Sequence, residues 1–161
     1  MNILFLFCSL PDLSNKQGLW ASLIHEFAAN GHHVLVSSKG KGKKDTELCV
    51  EAGISVLRIG GPEFTAVPNN VKKALAYQQY ILKQQYYVNK YWGKEKIDLI
   101  ISHSLPPELA YVVGGLKKHF KCPFYLIQSD YTWQDAVAYG FFGGKSIIAR
   151  YYQKPLSLLT I

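Results

Sequence analysis

Short apolar runs ended by proline or glycine alternate along most of this chain with segments whose apolar residues recur at helical spacing. Asn2 to Cys8 is such a run, stopped by Pro11, and a strand that is apolar throughout reads as covered on both faces, as in a parallel sheet. From Lys16 to Asn30 the residues Leu19, Trp20, Leu23, Ile24, Phe27 and Ala28 recur with the helical period, and Asn30-Gly31 supplies the stop. His33 to Ser38 is the second strand. Gly40 and Gly42 lie in a lysine-rich loop, Thr46 to Ala52 is predicted as a short helix, and Ile54 to Ile59 is the third strand, ended by Gly60-Gly61-Pro62. Asn70 to about Trp92 lacks Gly and Pro and reads as one long helix. A strand at Leu99 to Ser102, a helix from Pro107 to Phe120 and a fifth strand at Phe124 to Ile127 follow, with helical segments near Ala136 and from Ile147 to Leu159.

Strands alternating with helices imply right-handed crossovers, so the expected architecture is α/β: a Rossmann-like, doubly wound parallel sheet with helices on both faces. The 161 residues fit one such domain spanning the whole chain, and 48% hydrophobic residues can fill its core, a composition that argues against disorder. The opening apolar run has no Lys or Arg before it and no small-residue cleavage site after it, so it reads as a buried strand and not a leader. No apolar stretch reaches the ~20 residues that cross a bilayer. Cys8, Cys49 and Cys122 are odd in number and contain no C-x-x-C pair, which fits reduced thiols in a cytoplasmic protein.

Ligands of doubly wound sheets bind beyond the carboxyl ends of the strands, here the loops Ser9 to Gly18, His103 to Glu108 and Gln128 to Asp135. The first of these lacks the G-x-G-x-x-G of dinucleotide folds; only Gly18 stands at the helix start, to let a ligand approach the backbone or merely to ease the turn. Gly144-Lys145-Ser146 resembles the end of a P-loop, but Tyr139 occupies the first glycine position. His25-Glu26 begins an H-E-x-x-H pattern that Ala29 breaks, so no metal site is expected. His103 follows an apolar strand directly and precedes Ser104 and Pro106-Pro107, where it either faces a ligand or ties down the turn. Asp130 and Asp135 bracket Trp133. A carboxylate there can accept a sugar hydroxyl or assist proton transfer and an indole can stack on a sugar face, although Asp130 would also serve as a helix cap.

Eighteen Lys and Arg against 11 Asp and Glu leave a net charge of +7, which biases partners without defining a site. At ~100° per residue, Lys72, Lys83, Lys90 and Lys94 fall within about 40° of one another on the long helix. Tyr77, Tyr80, Tyr86, Tyr87, Tyr91 and Trp92 supply amphipathic rings on the same segment. This is either a solvated face over core aromatics or a surface that rests on anionic lipid through Lys72, Lys83 and Lys90.

The opening Met1-Asn2-Ile3-Leu4-Phe5-Leu6, the helix with Leu23-Ile24-His25-Glu26-Phe27-Ala28-Ala29-Asn30-Gly31-His32-His33, the strand Ile97-Asp98-Leu99-Ile100-Ile101-Ser102-His103-Ser104 and the run Cys122 to Asp130 stand in an order that resembles the group-1, family-4 glycosyltransferases. Trp133 to Gly140 looks like the segment found in members that build bacterial surface polysaccharides. The resemblance implies a GT-B enzyme, independent of metal and of any cofactor, with a nucleotide-sugar donor as substrate. Two Rossmann-like domains would then face a cleft, the N-terminal one binding the acceptor and the C-terminal one the donor. This chain resembles only the first, so the expectation is an N-terminal half without its donor-binding domain, inactive in sugar transfer by itself. His103 matches a family histidine after the fourth strand, whereas Ser129 stands where many members carry a catalytic histidine.

The expected function is therefore acceptor binding in a nucleotide-sugar-dependent glycosyltransferase of cell-surface polysaccharide synthesis. The expected catalytic residues are His103 and Asp130, with Gly18, Ser104, Ser129, Trp133 and Asp135 around the acceptor. The expected partners are a saccharide or lipid-linked saccharide and the inner, anionic face of the plasma membrane, and not nucleic acid. The rival expectation is a stand-alone Rossmann-like module that holds a nucleotide or sugar without chemistry.

Overall fold

The computed structural model describes residues 1–15, 18–42, 45–61, 70–103 and 107–127. The helices expected near Ala136 and at Ile147 to Leu159, and the Gly144-Lys145-Ser146 segment, lie outside the described residues.

Among the described residues, six strands and three helices run in the order β1 (Asn2–Leu6), α1 (Leu19–Ala29), β2 (His33–Lys39), β3 (Glu47–Glu51), β4 (Ile54–Ile59), α2 (Asn70–Trp92), β5 (Leu99–His103), α3 (Pro107–Phe120) and β6 (Phe124–Ile127). They form one sheet in the order β3-β4-β2-β1-β5-β6. β1 pairs in parallel with β2 and β5, β2 with β4, and β5 with β6, so five strands end at the same edge. The Rossmann-like α/β reading is thus the observed fold.

One expected element differs. Residues 47–51 are not helical but pair antiparallel with β4, with Glu47 opposite Arg58 and Glu51 opposite Ile54. The two-residue connection Ala52-Gly53 has φ of 49° and 82°, the pair of positive values that a tight hairpin turn matched to strand twist demands. The sheet is therefore mixed, with an antiparallel strand added at one edge of a parallel layer.

Alternate residues of the buried strands feed two cores. Ile3, Phe5, Val34, Val36, Ile54, Val56 and Ile101 pack under α1 through Ala21 and Ile24, while Leu4, Leu6, Leu35, Leu57, Ile59 and Ile100 pack under α2 and α3. The period of two along each strand sends successive side chains to opposite faces, and continuous apolar runs result because both faces are covered. Of the rings on α2, Tyr80 and Trp92 belong to the second core, whereas Tyr86 and Tyr91 are exposed.

Helix α2 is much longer than the strands beneath it. The Tyr80 hydroxyl donates to the Phe7 carbonyl at 3.0 Å, and the Gln84 amide donates to the same oxygen at 3.2 Å and to the Ser37 carbonyl at 3.3 Å. Phe7 immediately follows β1, so these bonds mark the level of the strand ends. The part of α2 preceding Tyr80 therefore runs about 10–15 Å beyond the sheet edge, at ~1.5 Å per residue with allowance for tilt.

Two outcomes follow from this packing. Ala52→Asn gives the hairpin a residue that tolerates the left-handed conformation, and should raise the unfolding free energy by up to about 1 kcal/mol in chemical denaturation. Burial pushes the Tyr80 hydroxyl well above its ordinary pKa of 10.0. The folded state keeps that proton while the unfolded chain releases it, so stability should fall as pH rises past about 10. Tyr80→Phe should cost about 1 kcal/mol at neutral pH and show a shallower alkaline loss.

Candidate functional site

Between β1 and β5 the strand order reverses direction, and a crevice opens beyond the carboxyl ends of two such strands because their connections depart to opposite faces. Gly18 and His103 both stand at this edge. Gly18 precedes α1 with φ 105° and ψ 147°, a region open essentially to glycine alone, and an added Cβ would meet nothing within 4 Å. The glycine is thus required by backbone conformation and leaves open space above the helix start. No side chain caps this end of α1.

His103 is the last residue of β5 and pairs with Ile127, the last of β6. Its ring lies 4.0 Å, centroid to centroid, from the Trp20 indole and 6.4 Å from the Phe7 ring, with Phe7 and Trp20 5.9 Å apart. Trp20, in the first turn of α1, thereby joins the two predicted positions, Gly18 on one loop and His103 on the other. An imidazole beside an indole offers a hydrogen-bonding edge next to an apolar plate, a pairing suited to a sugar ring with its hydroxyls and its C–H face.

Beside this point, a cleft of about 510 Å³ lies along the rim toward β2 and β4, within the ~300–1,000 Å³ range of small-ligand sites. The loop after β1 supplies Ser9, Leu10, Pro11 and Asp12, the turn after β2 supplies Gly40 and Lys41, and Glu51 and Arg58 form the floor. Arg58 is not held ready for an anion. Its Nε donates to Glu51 Oε1 at 2.8 Å and its Nη2 to Glu51 Oε2 at 2.5 Å, while Nη1 and Nη2 donate to the carbonyls of Leu10 at 2.7 Å and Pro11 at 2.9 Å. Glu51 Oε2 in turn accepts the Leu13 amide at 2.9 Å, and His25 Nε2 lies 2.9 Å from the Leu13 carbonyl. The loop is braced at Leu10, Pro11 and Leu13 by side chains from β4, β3 and α1.

Burial alone would push the Glu51 carboxyl up, but the Arg58 hydrogen bonds, the Leu13 amide and the Arg58 charge outweigh it and hold the group below its ordinary 4.5. Cys49, 3.6 Å from Glu51 Oε1, is pushed up by burial and by that neighbouring carboxylate, which keeps its thiol protonated and poorly nucleophilic.

Ser104, Ser129, Asp130, Trp133 and Asp135 lie outside the described residues. Lys72, Lys83 and Lys90 are exposed on α2, which packs on the opposite core of the sheet from α1 and its Trp20. Among the described residues no three His, Cys, Asp or Glu side chains gather as metal ligands would. Sequence reasoning missed the role of Trp20, counted only as one apolar position of a helix, and missed the Arg58–Glu51 floor. The available signal for the latter was a lone arginine inside the apolar strand 54–59.

Glu51→Gln should lower the unfolding free energy by about 3 kcal/mol at neutral pH, because a buried guanidinium loses its counter-charge. The native pair stabilises fully above the carboxyl's unfolded pKa and is lost as pH falls through its lower folded value. Acid unfolding of the unaltered chain should therefore steepen below about pH 4.5, and the variant should lack that component. Gly18→Ala should cost about 1–3 kcal/mol through backbone strain.

No protein-family model matches the chain, and no curated protein matches it. Solved structures do. A sucrose-phosphate synthase from Thermosynechococcus elongatus superposes with a TM-score of 0.59 at 14% identity, over 98% of this chain and 38% of that one. A structure described as the glycotransferase of kitacinnamycin gives a TM-score of 0.54 at 13% identity, over 95% of this chain and 38% of that one. The chain thus spans well under half the length of these two proteins, and what it shares with them is the fold: a Rossmann-like α/β layer that recurs in glycosyltransferase structures.

Proposed function

We propose that this chain is the acceptor-binding domain of a nucleotide-sugar-dependent glycosyltransferase acting in cell-surface polysaccharide synthesis. The observation that carries the reading is the meeting of Trp20 with His103 at the β1/β5 switch point, next to an open rim cleft. The fold shared with a sucrose-phosphate synthase and a glycotransferase, each spanned only in part, supports it. So does the sequence resemblance described above.

In this reading the acceptor lies across the rim with a sugar face on Trp20 and a hydroxyl toward His103. Imidazole is suited to relay the acceptor proton as the hydroxyl attacks the donor sugar, since its pKa lies near neutrality. Asp130 shares that catalytic role. Gly18 leaves room for the ligand, and Ser104, Ser129, Trp133 and Asp135 complete the acceptor contacts. The nucleotide-sugar is a substrate held mainly by a second domain, and no metal or cofactor is called on.

Trp20 gives the test a built-in reporter. Titration of this chain with oligosaccharides should shift its indole emission and the His103 imidazole resonances together. His103→Ala should weaken binding by about tenfold, the worth of one hydrogen bond that a ligand loses. In a polypeptide that also carries a donor-binding domain, the same substitution should reduce turnover by about 10²–10⁴ if the imidazole moves the proton. Saccharide binding that leaves both reporters unchanged overturns the assignment. Saccharide or nucleotide binding with both reporters shifting, but no transfer in any longer polypeptide, favours a binding module without catalysis.

A further inference from the structure

We infer that the outer face of α2, extended by α3, is a docking surface for an anionic lipid membrane. The inference stands on this face alone and is independent of what the rim binds. Seen down α2 at ~100° per residue, Lys72, Leu75, Leu82, Lys83, Tyr86 and Lys90 fall within an arc of about 100°, opposite the face that buries Tyr80, Ile81, Gln84, Val88 and Trp92. All six are exposed. Leu75, Leu82 and Tyr86 keep 58%, 65% and 61% of their surface open to solvent, Tyr86 touching only the edge of the Tyr87 ring among the described residues, so the apolar members of the stripe stand largely uncovered. They run along the helix between lysines for about 27 Å from Lys72 to Lys90.

Charge decides which occupant this face fits. The 23 residues of α2 contain four lysines and no Asp or Glu. Lys90 lies with its ammonium 5.7 Å from the ring centres of both Tyr87 and Tyr91. The neighbouring helix continues the pattern. Gly115 of α3 is so close to α2 that a Cβ there would stand 2.5 Å from the Gln85 amide nitrogen, and His119 Nε2 lies 2.9 Å from the Gly93 carbonyl, so the two helices lie side by side. Tyr111 is 49% exposed on α3, and Lys118 and Lys121 are exposed at its end.

The two helices therefore present one broad surface on which leucine and tyrosine alternate with lysine and no α2 carboxylate intervenes. A second copy of this chain would bring like charges together. An anionic bilayer satisfies both components at once: lysine stems reach the phosphate layer while leucine and tyrosine side chains enter the acyl boundary. No helix among the described residues is long and apolar enough to cross a membrane, so contact at this face is peripheral.

Vesicle sedimentation of the full chain tests the inference. The chain should bind vesicles of phosphatidylglycerol and phosphatidylcholine in equal parts and not vesicles of phosphatidylcholine alone. Lys72→Gln, Lys83→Gln and Lys90→Gln together should weaken binding by about 100-fold, each lysine near an anionic surface contributing somewhat less than a factor of ten. Leu75→Ser, Leu82→Ser and Tyr86→Ser together should weaken it by about tenfold or more, the loss persisting at high salt, where the electrostatic part is screened. Because all six side chains are exposed, both variants should keep the denaturation midpoint of the parent chain, which separates a lost surface from a lost fold. Binding unchanged in either variant overturns the inference.

Discussion

Arg58 and Glu51 form an ion pair that is nearly closed off from solvent, with 6% and 11% of their side-chain surfaces exposed, and the rim of this protein is organised around it. Two charges removed from water are tolerated only when their remaining hydrogen-bonding capacity is met. Here it is met by the backbone of the loop after β1, whose carbonyls at Leu10 and Pro11 and amide at Leu13 point inward to the pair. The need to satisfy the charges and the need to fix a loop that lacks secondary structure are thus met by the same contacts. That loop leads to Gly18 and Trp20, so the geometry at the switch point depends on a hairpin two strands away.

This arrangement explains why an antiparallel strand is added at the edge of an otherwise parallel sheet. β3 brings Glu51 to Arg58 through the turn at Ala52 and Gly53, and without it a guanidinium in β4 would be buried without a counter-charge. Helix α1 holds the other side of the loop, with His25 against the Leu13 carbonyl. The histidine that superficially begins a zinc motif is a brace.

The parallel layer was legible in the sequence because strands covered on both faces become continuous apolar runs, and Ile3 to Leu6, Val34 to Val36 and Leu99 to Ile101 show this plainly. β3 was not legible, for an equally physical reason. Leu48 and Val50 are exposed while Glu51 turns toward Arg58, so the apolar residues of this strand face outward, against the usual apolar-in pattern, and its turn lacks the Asn-Gly or Asp-Gly that marks most tight hairpins. His103 and Gly18 could be chosen from their place after an apolar strand and before a helix. The partnership of Trp20 with His103 could not, because it depends on which strands become neighbours, and β1 and β5 are separated by more than ninety residues of chain.

The length of α2 gives the rim its asymmetry. Since the helix continues past the strands it covers, the carboxyl edge of the sheet is not a level shelf but a ledge backed by a parapet on one flank. A compact ligand could approach such a ledge from many angles, whereas an elongated one is steered to lie along the parapet's foot. The same rod that stiffens the layer therefore sets a preferred heading for whatever chain-like molecule comes to rest there.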